Sequence, residues 1–343
     1  MNTQFAFSAG VWNLNAGEDP FGPPVRPSVA FARKLELLRN LGFDYVQFHD
    51  DDAVPMSVRP SEVEAEAARV KKMCDGAGLQ VEFVAPRLWE DPRFVDGAIT
   101  SNCPEARAEA LDRGKRTIDI ANALATNRIV LWPAREGTYT REAKNPVEAY
   151  QRMLDYLNAL LAYDAQVRIM GEMKPNEPMD LMYAPSTGHF LALAARTDDP
   201  ARVGALIESA HCILLGLDPS DEMAFALWQG KLWGVHLNDQ NGLKFDEDKS
   251  FGSANLRRAF NTVDVLVRND YGAHGEVVGL DVKAMRTQPA EIATKHLANS
   301  KRTFERLVQV CATIDRNEWG ALVKARDYEE LDAFILNALM GLR

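Results

Sequence analysis

Eight short runs rich in β-branched and aromatic residues, each followed by a segment of helical periodicity, are the feature of this sequence that most limits its fold. Such alternation is typical of successive βα units around a parallel sheet. The runs cover residues 5–12, 45–50, 81–85, 128–132, 168–174, 212–218, 232–238 and 276–282. Eight alternations in about 310 residues favour an α/β fold with a closed (β/α)₈ TIM barrel, although counting alone leaves an open doubly wound sheet as an alternative.

The helical segments and the end of the chain predict how the sequence is divided. A stretch such as 256–267 places apolar residues on one face at helical spacing, as expected of a helix that covers the barrel. We predict a barrel domain over residues 1–315 and a short C-terminal helical extension over 316–343. The simplest interpretation of the extension is a cap that packs on the barrel.

Charge and composition exclude several classes of function. The 343 residues contain 39 Lys and Arg against 49 Asp and Glu, a net charge of −10, with no basic run of the kind that binds nucleic acid. The sequence has no signal-like start and no uncharged apolar stretch of about 18 residues. Its four cysteines are widely spaced. We therefore expect a cytoplasmic protein with reduced thiols, no nucleic-acid partner and no membrane association.

Ionisable residues concentrate where the predicted strands end. In a barrel the carboxyl ends of all strands meet at one rim, which is where active sites form. Grouping carboxylates there costs several kcal/mol unless a cation compensates their charge. We therefore predict a divalent metal ion. The residues at these strand ends are His49, Asp50, Asp51 and Asp52 on the second strand, Glu172 and Lys174 on the fifth, Asp218 on the sixth, His236 on the seventh and Asp281 on the eighth.

Carboxylates together with one imidazole suit Mn²⁺, Mg²⁺ or Co²⁺. The step Asp246-Glu247-Asp248 adds a second signal, because alternate residues of an extended chain point to the same side and could share an ion. We predict one or two ions held by Glu172, Asp218, His236, Asp246, Asp248 and Asp281.

Each of these signals has a simpler interpretation when it is taken alone. The acidic triplet at 50–52 could be a solvated loop, and Lys174 could form a surface ion pair. His189 and His211 are interpreted as structural, because neither lies at the end of a predicted strand. The prediction of a site depends on the joint placement of these residues.

At these residues the sequence resembles xylose isomerase, a metal-dependent aldose–ketose isomerase family. The resemblance implies that His49 and Asp52 assist opening of the sugar ring and that Lys174 polarises the carbonyl oxygen of the substrate. It also implies a second, mobile ion on Asp246 and Asp248. The matching stretches are 7–12, 17–22, 48–52, 131–137, 174–178, 227–232, 237–252 and 281–287.

The resemblance extends to the walls of the substrate pocket. It implies that Trp12 and Trp132 shield the path of the hydride from water, and Trp89 is a further wall position. Phe21 matches a residue that the family inserts into the site of a neighbouring subunit. Because such an insertion requires at least two subunits, we expect a homodimer or a homotetramer.

Two departures from the family concern the metal ligands. His236 stands where the family has an aspartate, a feature shared with rhamnose isomerase and the ketose 3-epimerases. After the sixth strand the family has a Glu that bridges both metals and a His three residues later, and a direct alignment places Ser220 and Met223 there. A shift of two residues makes Asp218 the strand-end ligand. The alternatives for this ligand are Asp221 and Glu222.

These observations predict an aldose–ketose isomerase that acts on an unphosphorylated sugar by a hydride shift between C1 and C2 after ring opening. A ketose epimerase that uses one metal and abstracts a proton is an alternative. A homologue that binds a sugar without turnover is a second alternative, because the residues after the sixth strand differ from the family pattern.

Overall fold

The computed structural model describes residues 5–19 and 22–342, and its centre is a closed barrel of eight parallel strands. The barrel prediction is therefore confirmed, and the open-sheet alternative is wrong. Neighbouring strands follow the order β1-β8-β7-β6-β5-β4-β3-β2 around the closed sheet. The strands are β1 (Phe7–Gly10), β2 (Tyr45–His49), β3 (Gln80–Ala85), β4 (Arg128–Leu131), β5 (Arg168–Glu172), β6 (Val203–Glu208), β7 (Leu232–Leu237) and β8 (Val278–Leu280).

Helices follow the strands and cover the outside of the barrel. Two further short strands, Gly137–Thr138 and Leu181–Met182, follow β4 and β5 in the sequence and pair antiparallel with each other outside the barrel sheet. The helices are α1 (Phe31–Asn40), α2 (Asp50–Ala53), α3 (Val63–Ala77), α4 (Pro104–Ala123), α5 (Pro146–Tyr163), α6 (Thr187–Ala194), α7 (Ser209–Leu214), α8 (Pro219–Trp228), α9 (Leu256–Arg268), α10 (Lys295–Thr313), α11 (Arg316–Ala325) and α12 (Tyr328–Met340).

The sixth strand does not lie where the sequence predicted it. Residues 212–218 contain the end of α7 and a turn, whereas β6 is the preceding run, in which all six residues are buried. Both segments are short apolar runs, and periodicity cannot distinguish a buried strand from a short buried helix. Gly216, with φ of +76°, lies in the turn that follows α7. The predicted sixth strand was therefore wrong.

The extension after residue 315 forms two helices, α11 and α12, that pack together beside α9. The Asp315 side chain accepts hydrogen bonds from the Asn317 and Glu318 amides and so caps α11. Trp319 lies against Phe260 of α9 with ring centroids 6.3 Å apart. Ile335 of α12 is buried. The division of the chain at residue 315 stays a prediction. None of the described helices has the length and apolarity needed to cross a bilayer.

Candidate active site

The carboxyl ends of four neighbouring strands bring three carboxylates and one imidazole together, and we call this group the first cluster. Glu172 ends β5, Glu208 ends β6, His236 lies in β7 and Asp281 follows β8 directly. One donor atom from each lies within 4.8 Å of the other three. The His236 Nδ1 atom is 3.6 Å from Glu172 Oε2, 3.6 Å from Glu208 Oε2 and 3.7 Å from Asp281 Oδ2.

These residues fit a divalent metal ion. An ion about 2.1 Å from each of its ligands holds neighbouring donors about 3.0 to 4.2 Å apart, and the distances from His236 Nδ1 lie within that range. The same Nδ1 atom is buried and has no hydrogen-bond partner among the residues that the structure describes. A buried polar atom without a partner is costly, and coordination of an ion would satisfy it.

A second cluster adjoins the first and shares Glu208 with it. Its donors are Glu208, His211 and Asp246. His211 Nε2 lies 3.3 Å from Glu208 Oε1 and 3.0 Å from Asp246 Oδ2. The ring of His211 is buried, as is the Oδ1 atom of Asp246, for which residues 5–19 and 22–342 provide no hydrogen-bond partner. The two clusters together could hold two ions bridged by one carboxylate.

Asp248 lies beside the two clusters and lines the same cavity. Its carboxylate accepts hydrogen bonds from Asn238 Nδ2 at 3.2 Å and from Lys283 Nζ at 3.1 Å. The segment from Asp246 to Asp248 is not an extended strand, because Asp248 has φ of +43°. The sequence predicted that the carboxylates of Asp246 and Asp248 face the same side because alternate residues of an extended strand do so. They do line one cavity, but the backbone that places them there is not an extended strand.

Mutual interactions shift the pKa values of both clusters. Burial alone would raise the pKa of Glu172, but the positive charge of His236, and then that of His211, lowers it to about 2. Burial and the charge of Asp246 raise the pKa values of Glu208 and Asp248 well above their usual range. Burial would lower the pKa of His236, but Glu172 and the other carboxylates raise it well above its usual range. Protons on these side chains would therefore compete with a divalent ion for the same donor atoms.

Lys174 is buried and lies at the second cluster. Its Nζ atom is 3.0 Å from Asp246 Oδ2 and 2.9 Å from Glu177 Oε2, and it lies 5.3 Å from the centroid of the Trp132 ring. Burial would lower the pKa of Lys174, but Asp246 and Glu177 raise it, so the ammonium group stays charged. A surface ion pair, the simpler interpretation of this lysine, is therefore excluded.

His49 and Asp52 form a pair at the end of β2, on the opposite side of the cavity. The Asp52 Oδ2 atom lies 2.9 Å from His49 Nδ1 and also accepts from the His49 backbone amide at 3.0 Å. Arg87 donates to Asp52 Oδ1 at 2.9 Å and to Asp51 Oδ1 at 2.8 Å. Burial would raise the pKa of Asp52, but these partners, His49 first, lower it to about 2. The carboxylate is therefore fixed in charge and in direction.

Aromatic rings form one wall of the cavity, whose volume is about 230 Å³. Trp12 lies 4.3 Å from His49, Trp89 lies 5.1 Å from His49, and Trp89 lies 4.5 Å from Trp132, measured between ring centroids. Trp132 in turn stacks parallel to His211 at 6.4 Å. Trp12 also donates from Nε1 to Asp281 Oδ1 at 2.9 Å. The predicted wall tryptophans thus line the cavity together, whereas Phe21 lies outside the described residues.

Asp218 does not join either cluster. It caps α8, where its Oδ1 atom accepts from the Ser220 amide at 2.8 Å and from the Ser220 hydroxyl at 2.6 Å. The alternatives are also elsewhere, because Asp221 is exposed and Glu222 accepts from the Thr187 amide at 3.2 Å. Asp218 was predicted as a ligand because the sixth strand was assigned to residues 212–218. The strand lies at 203–208 instead, so the residue at its carboxyl end is Glu208.

The sequence analysis missed two residues, Glu208 and His211. Assigning the strand to the wrong apolar run put Glu208 in a connection and made His211 look structural. One signal could have identified them. A glutamate at the end of an apolar run with a histidine three residues later is the spacing that the family resemblance implied, and Glu208 and His211 have that spacing.

The fold and the site define a class of protein, a (β/α)₈ barrel with two adjoining carboxylate–histidine clusters in an aromatic-walled cavity at the carboxyl ends of its strands. Residues 35–275 match the family model described as xylose isomerase-like TIM barrel. The chain is 35% identical to the xylose isomerase of Thermus thermophilus over 303 residues, which are 87% of this chain and 78% of that protein. The chain belongs to the xylose isomerase-like TIM barrel family.

Solved structures show the same fold at lower identity. A D-tagatose 3-epimerase-like protein superposes with a TM-score of 0.66 and 15% identity, covering 90% of this chain and 98% of that one. A 3-keto-D-glucoside 4-epimerase from E. coli gives a TM-score of 0.64 and 14% identity, covering 87% of this chain and all of that one, 100%. These likenesses concern the fold alone.

Proposed function

We propose that this chain is an aldose–ketose isomerase that acts on an unphosphorylated sugar and moves a hydride between C1 and C2 after ring opening. The observation that carries the proposal is the position of Glu208 between two donor clusters, with Lys174 beside the second. A proton-abstraction mechanism needs only one ion. It would therefore leave the second cluster without a role. The relatives named xylose isomerase support the same reaction.

Divalent ions, when bound, supply positive charge that stabilises the alkoxide character of O1 and O2 in the transition state. The chain's own residues prepare the substrate for that step. His49, held by Asp52, can move a proton between the ring oxygen and the anomeric hydroxyl, because the carboxylate orients the imidazole. Lys174, charged and fixed by Asp246 and Glu177, can donate to the carbonyl oxygen of the open chain.

The tryptophan wall favours hydride transfer over exchange with solvent. Trp12, Trp89 and Trp132 present indole surfaces to the cavity, and such apolar surface does not hold water. Excluding water from the path between the two carbons keeps the migrating hydrogen away from solvent. No Arg cluster or glycine-rich loop suggests a phosphate site in the sequence, which supports an unphosphorylated sugar.

A single-metal ketose epimerase is the second candidate. It is favoured by the completeness of the first cluster, whose three carboxylates and one imidazole could hold an ion without the second cluster. In that reaction one strand-end carboxylate would abstract a proton from carbon as a general base. Lys174 and the second cluster would then have no role in the chemistry.

The experiment that separates the two candidates incubates the Mn²⁺-supplemented protein with a panel of aldopentoses, aldohexoses and their ketoses in D₂O. For an isomerase, NMR should show aldose and ketose interconverting with the migrating hydrogen retained. Complete deuterium incorporation at that carbon would contradict the hydride shift, and a 3-epimer as product would support the epimerase.

Two variants make this experiment specific. Lys174→Met should lower kcat for isomerisation by at least about 100-fold, since a donor to the carbonyl oxygen is lost. His49→Asn should slow turnover of a cyclic sugar more than that of a sugar whose open-chain form is abundant, because only the former needs ring opening. Equal effects on both sugars would count against the ring-opening role.

A further inference from the structure

A chain of hydrogen bonds runs through the barrel interior from the first cluster. His236 Nε2 lies 3.2 Å from Gln47 Oε1, and Gln47 Nε2 donates to Glu82 Oε2 at 2.9 Å. The three residues come from β7, β2 and β3, and each is at most 2% exposed. Neither Gln47 nor Glu82 touches the cavity in which the aromatic wall lies, so the proposed reaction does not account for them.

The donors and acceptors of these three residues set the direction of both hydrogen bonds. Gln47 donates from Nε2 to a Glu82 carboxylate oxygen, so its NH₂ group faces β3 and its carbonyl oxygen faces His236. That carbonyl oxygen can only accept in turn, so the proton of the imidazole must be on Nε2. In the neutral ring, which is the form that binds a metal ion, the lone pair is then on Nδ1, the buried atom for which the described residues offer no hydrogen-bond partner.

The reversed arrangement would disable the ligand. If Gln47 presented its NH₂ group to His236, Nε2 would have to accept, and the neutral ring would carry its proton on Nδ1, where the ion has to bind. Burial raises the pKa of Glu82, and the N–H of Gln47 opposes that rise by donating to the charged carboxylate. The hydrogen bond that orients the amide thus also favours the acceptor form of Glu82.

Gly279 of β8 leaves the space in which His236 and Gln47 meet, which is a second observation in favour of their contact. A Cβ atom at Gly279 would lie 2.8 Å from His236 Cδ2 and 2.9 Å from Gln47 Nε2, closer than side chains approach one another. It would also lie 2.6 Å from the backbone oxygen of Val235. A side chain on β8 would therefore push the imidazole and the amide apart.

We propose that Gln47 and Glu82 are positioning residues that hold His236 in the tautomer that coordinates a divalent ion through Nδ1. When a metal ion is bound, His236 is the neutral ligand among the carboxylates of the first cluster, and it is the ligand of that cluster that can bind through either of two ring nitrogens. Glu82 makes that choice through Gln47, and the carboxylate also increases the basicity of the imidazole along the chain. The proposal concerns metal binding and does not depend on which sugar reaction the protein catalyses.

Three full-length variants test the proposal. Gln47→Met removes the acceptor with little change in volume, and Glu82→Gln removes the group that orients the amide. The double variant Gln47→Glu with Glu82→Gln exchanges the two groups, so that a carboxylate accepts directly from His236 Nε2 and an amide donates to that carboxylate. Thr262→Val, which removes a buried hydroxyl from α9 on the outer layer, is the matched control.

Calorimetric titration of Mn²⁺ into the metal-free proteins gives the first readout. We expect each single variant to weaken one binding step about 10- to 100-fold, the usual cost of losing a partner of a metal-binding histidine. The exchanged double variant should bind within about threefold of the unaltered protein, and Thr262→Val should bind like it. Circular dichroism and thermal unfolding without metal establish that each variant is folded.

Nuclear magnetic resonance of ¹⁵N-histidine-labelled, Mg²⁺-loaded protein gives the second readout. In the unaltered protein and in the exchanged variant, the His236 Nε2–H proton should appear as a slowly exchanging resonance, and Gln47→Met should lose it. Folded single variants that bind Mn²⁺ as tightly as the unaltered protein would overturn the proposal. An exchanged variant no better than the single variants would overturn it as well, because a merely structural loss is not repaired by exchanging the two groups.

Discussion

Glu208 belongs to both clusters, and its two carboxylate oxygens face different partners. Oε2 lies 3.6 Å from His236 Nδ1 in the first cluster, and Oε1 lies 3.3 Å from His211 Nε2 in the second. Asn238 Nδ2 donates to the same Oε1 atom at 2.7 Å and fixes the carboxylate. A bridging ligand of this kind makes the two candidate metal sites interdependent.

We predict that Glu208→Gln and His211→Asn differ in the number of ions they lose. Glu208→Gln should prevent tight binding of both Mn²⁺ ions, whereas His211→Asn should retain one, and each should lower isomerase activity at least about 100-fold. Metal content after dialysis, measured by mass spectrometry, checks the stoichiometry. Asp218→Asn is the control. Asparagine caps a helix as well as aspartate does, so metal content and stability should not change.

His296 of α10 makes the stability of the protein sensitive to mild acid. It is buried, its Nε2 atom lies 3.0 Å from the backbone oxygen of Asn13, and burial lowers its pKa to about 4. The unfolded chain binds a proton near pH 6.5, so the unfolded state carries more protons between pH 6.5 and 4. The stability that neutral His296 provides is therefore present above pH 6.5 and is lost as the pH falls towards 4.

We predict that His296→Gln removes this part of the pH dependence. For the metal-free protein, one such group lowers the free energy of unfolding by about 2 kcal/mol between pH 7 and pH 5. Urea unfolding at the two pH values should show that the difference is smaller by about this amount in the variant. The exposed His274→Gln is the control, and an unchanged pH dependence in His296→Gln would contradict the assignment.

At the scale of elements, one buried carboxylate joins two of the connections at the carboxyl ends of the strands. Glu136, which follows β4, accepts from the backbone amides of Ala98 at 3.0 Å, Ile99 at 2.9 Å and Thr100 at 2.7 Å. The Thr100 hydroxyl adds a fourth bond at 2.6 Å. The connection between β3 and α4 is thereby tied to the connection after β4, next to the wall formed by Trp89 and Trp132.

We predict that Glu136→Gln lowers the free energy of unfolding by about 2 to 3 kcal/mol. An amide group has one acceptor oxygen instead of two, so its NH₂ group would face backbone N–H donors that are left unsatisfied in the interior. Urea unfolding of the metal-free protein measures this change. Glu142→Gln, at an exposed position in a neighbouring turn, should change the value by no more than about 0.5 kcal/mol.

At the scale of the whole molecule, the negative charge gathered at the carboxyl ends of the strands leads us to expect that stability depends on a bound metal ion. Glu172, Glu208, Asp246, Asp248 and Asp281 line one cavity, and Lys174 and Lys283 offset only part of their charge. The raised pKa values of Glu208 and Asp248 show that mutual repulsion and burial oppose full ionisation there. We therefore expect the folded protein to bind a cation at this site and to be stabilised by it.

We predict that saturating Mn²⁺ raises Tm by several degrees and that EDTA reverses the increase. Binding at 100 times Kd adds about 2.7 kcal/mol to the stability of the folded state for each site. Asp248→Asn should show a smaller increase, because the variant offers one carboxylate fewer to the ions. Differential scanning calorimetry with and without Mn²⁺ measures both. An equal increase in Asp248→Asn would indicate that this residue takes no part in binding.

The sequence by itself predicted the βα units of the barrel and several of the residues that line the cavity. Eight alternations of strand-like and helix-like segments specify βα units, and seven of the eight predicted strands overlap an observed one. Residues at true strand ends, such as Glu172, His236 and Asp281, could be predicted to meet because parallel strands in a barrel deliver their carboxyl ends to one place. Local pattern and connectivity were sufficient for these assignments.

Only the tertiary structure decided which of two apolar runs became the sixth strand. Residues 203–208 and 212–218 have similar composition, and the choice depends on which run pairs with β5 and β7, an interaction between segments distant in sequence. That choice brought Glu208 and His211 into the site and left Asp218 as a helix cap. The hydrogen bonds from His236 through Gln47 to Glu82 likewise join three strands that are distant in sequence. No local pattern connects these strands, so only the tertiary structure shows the contact.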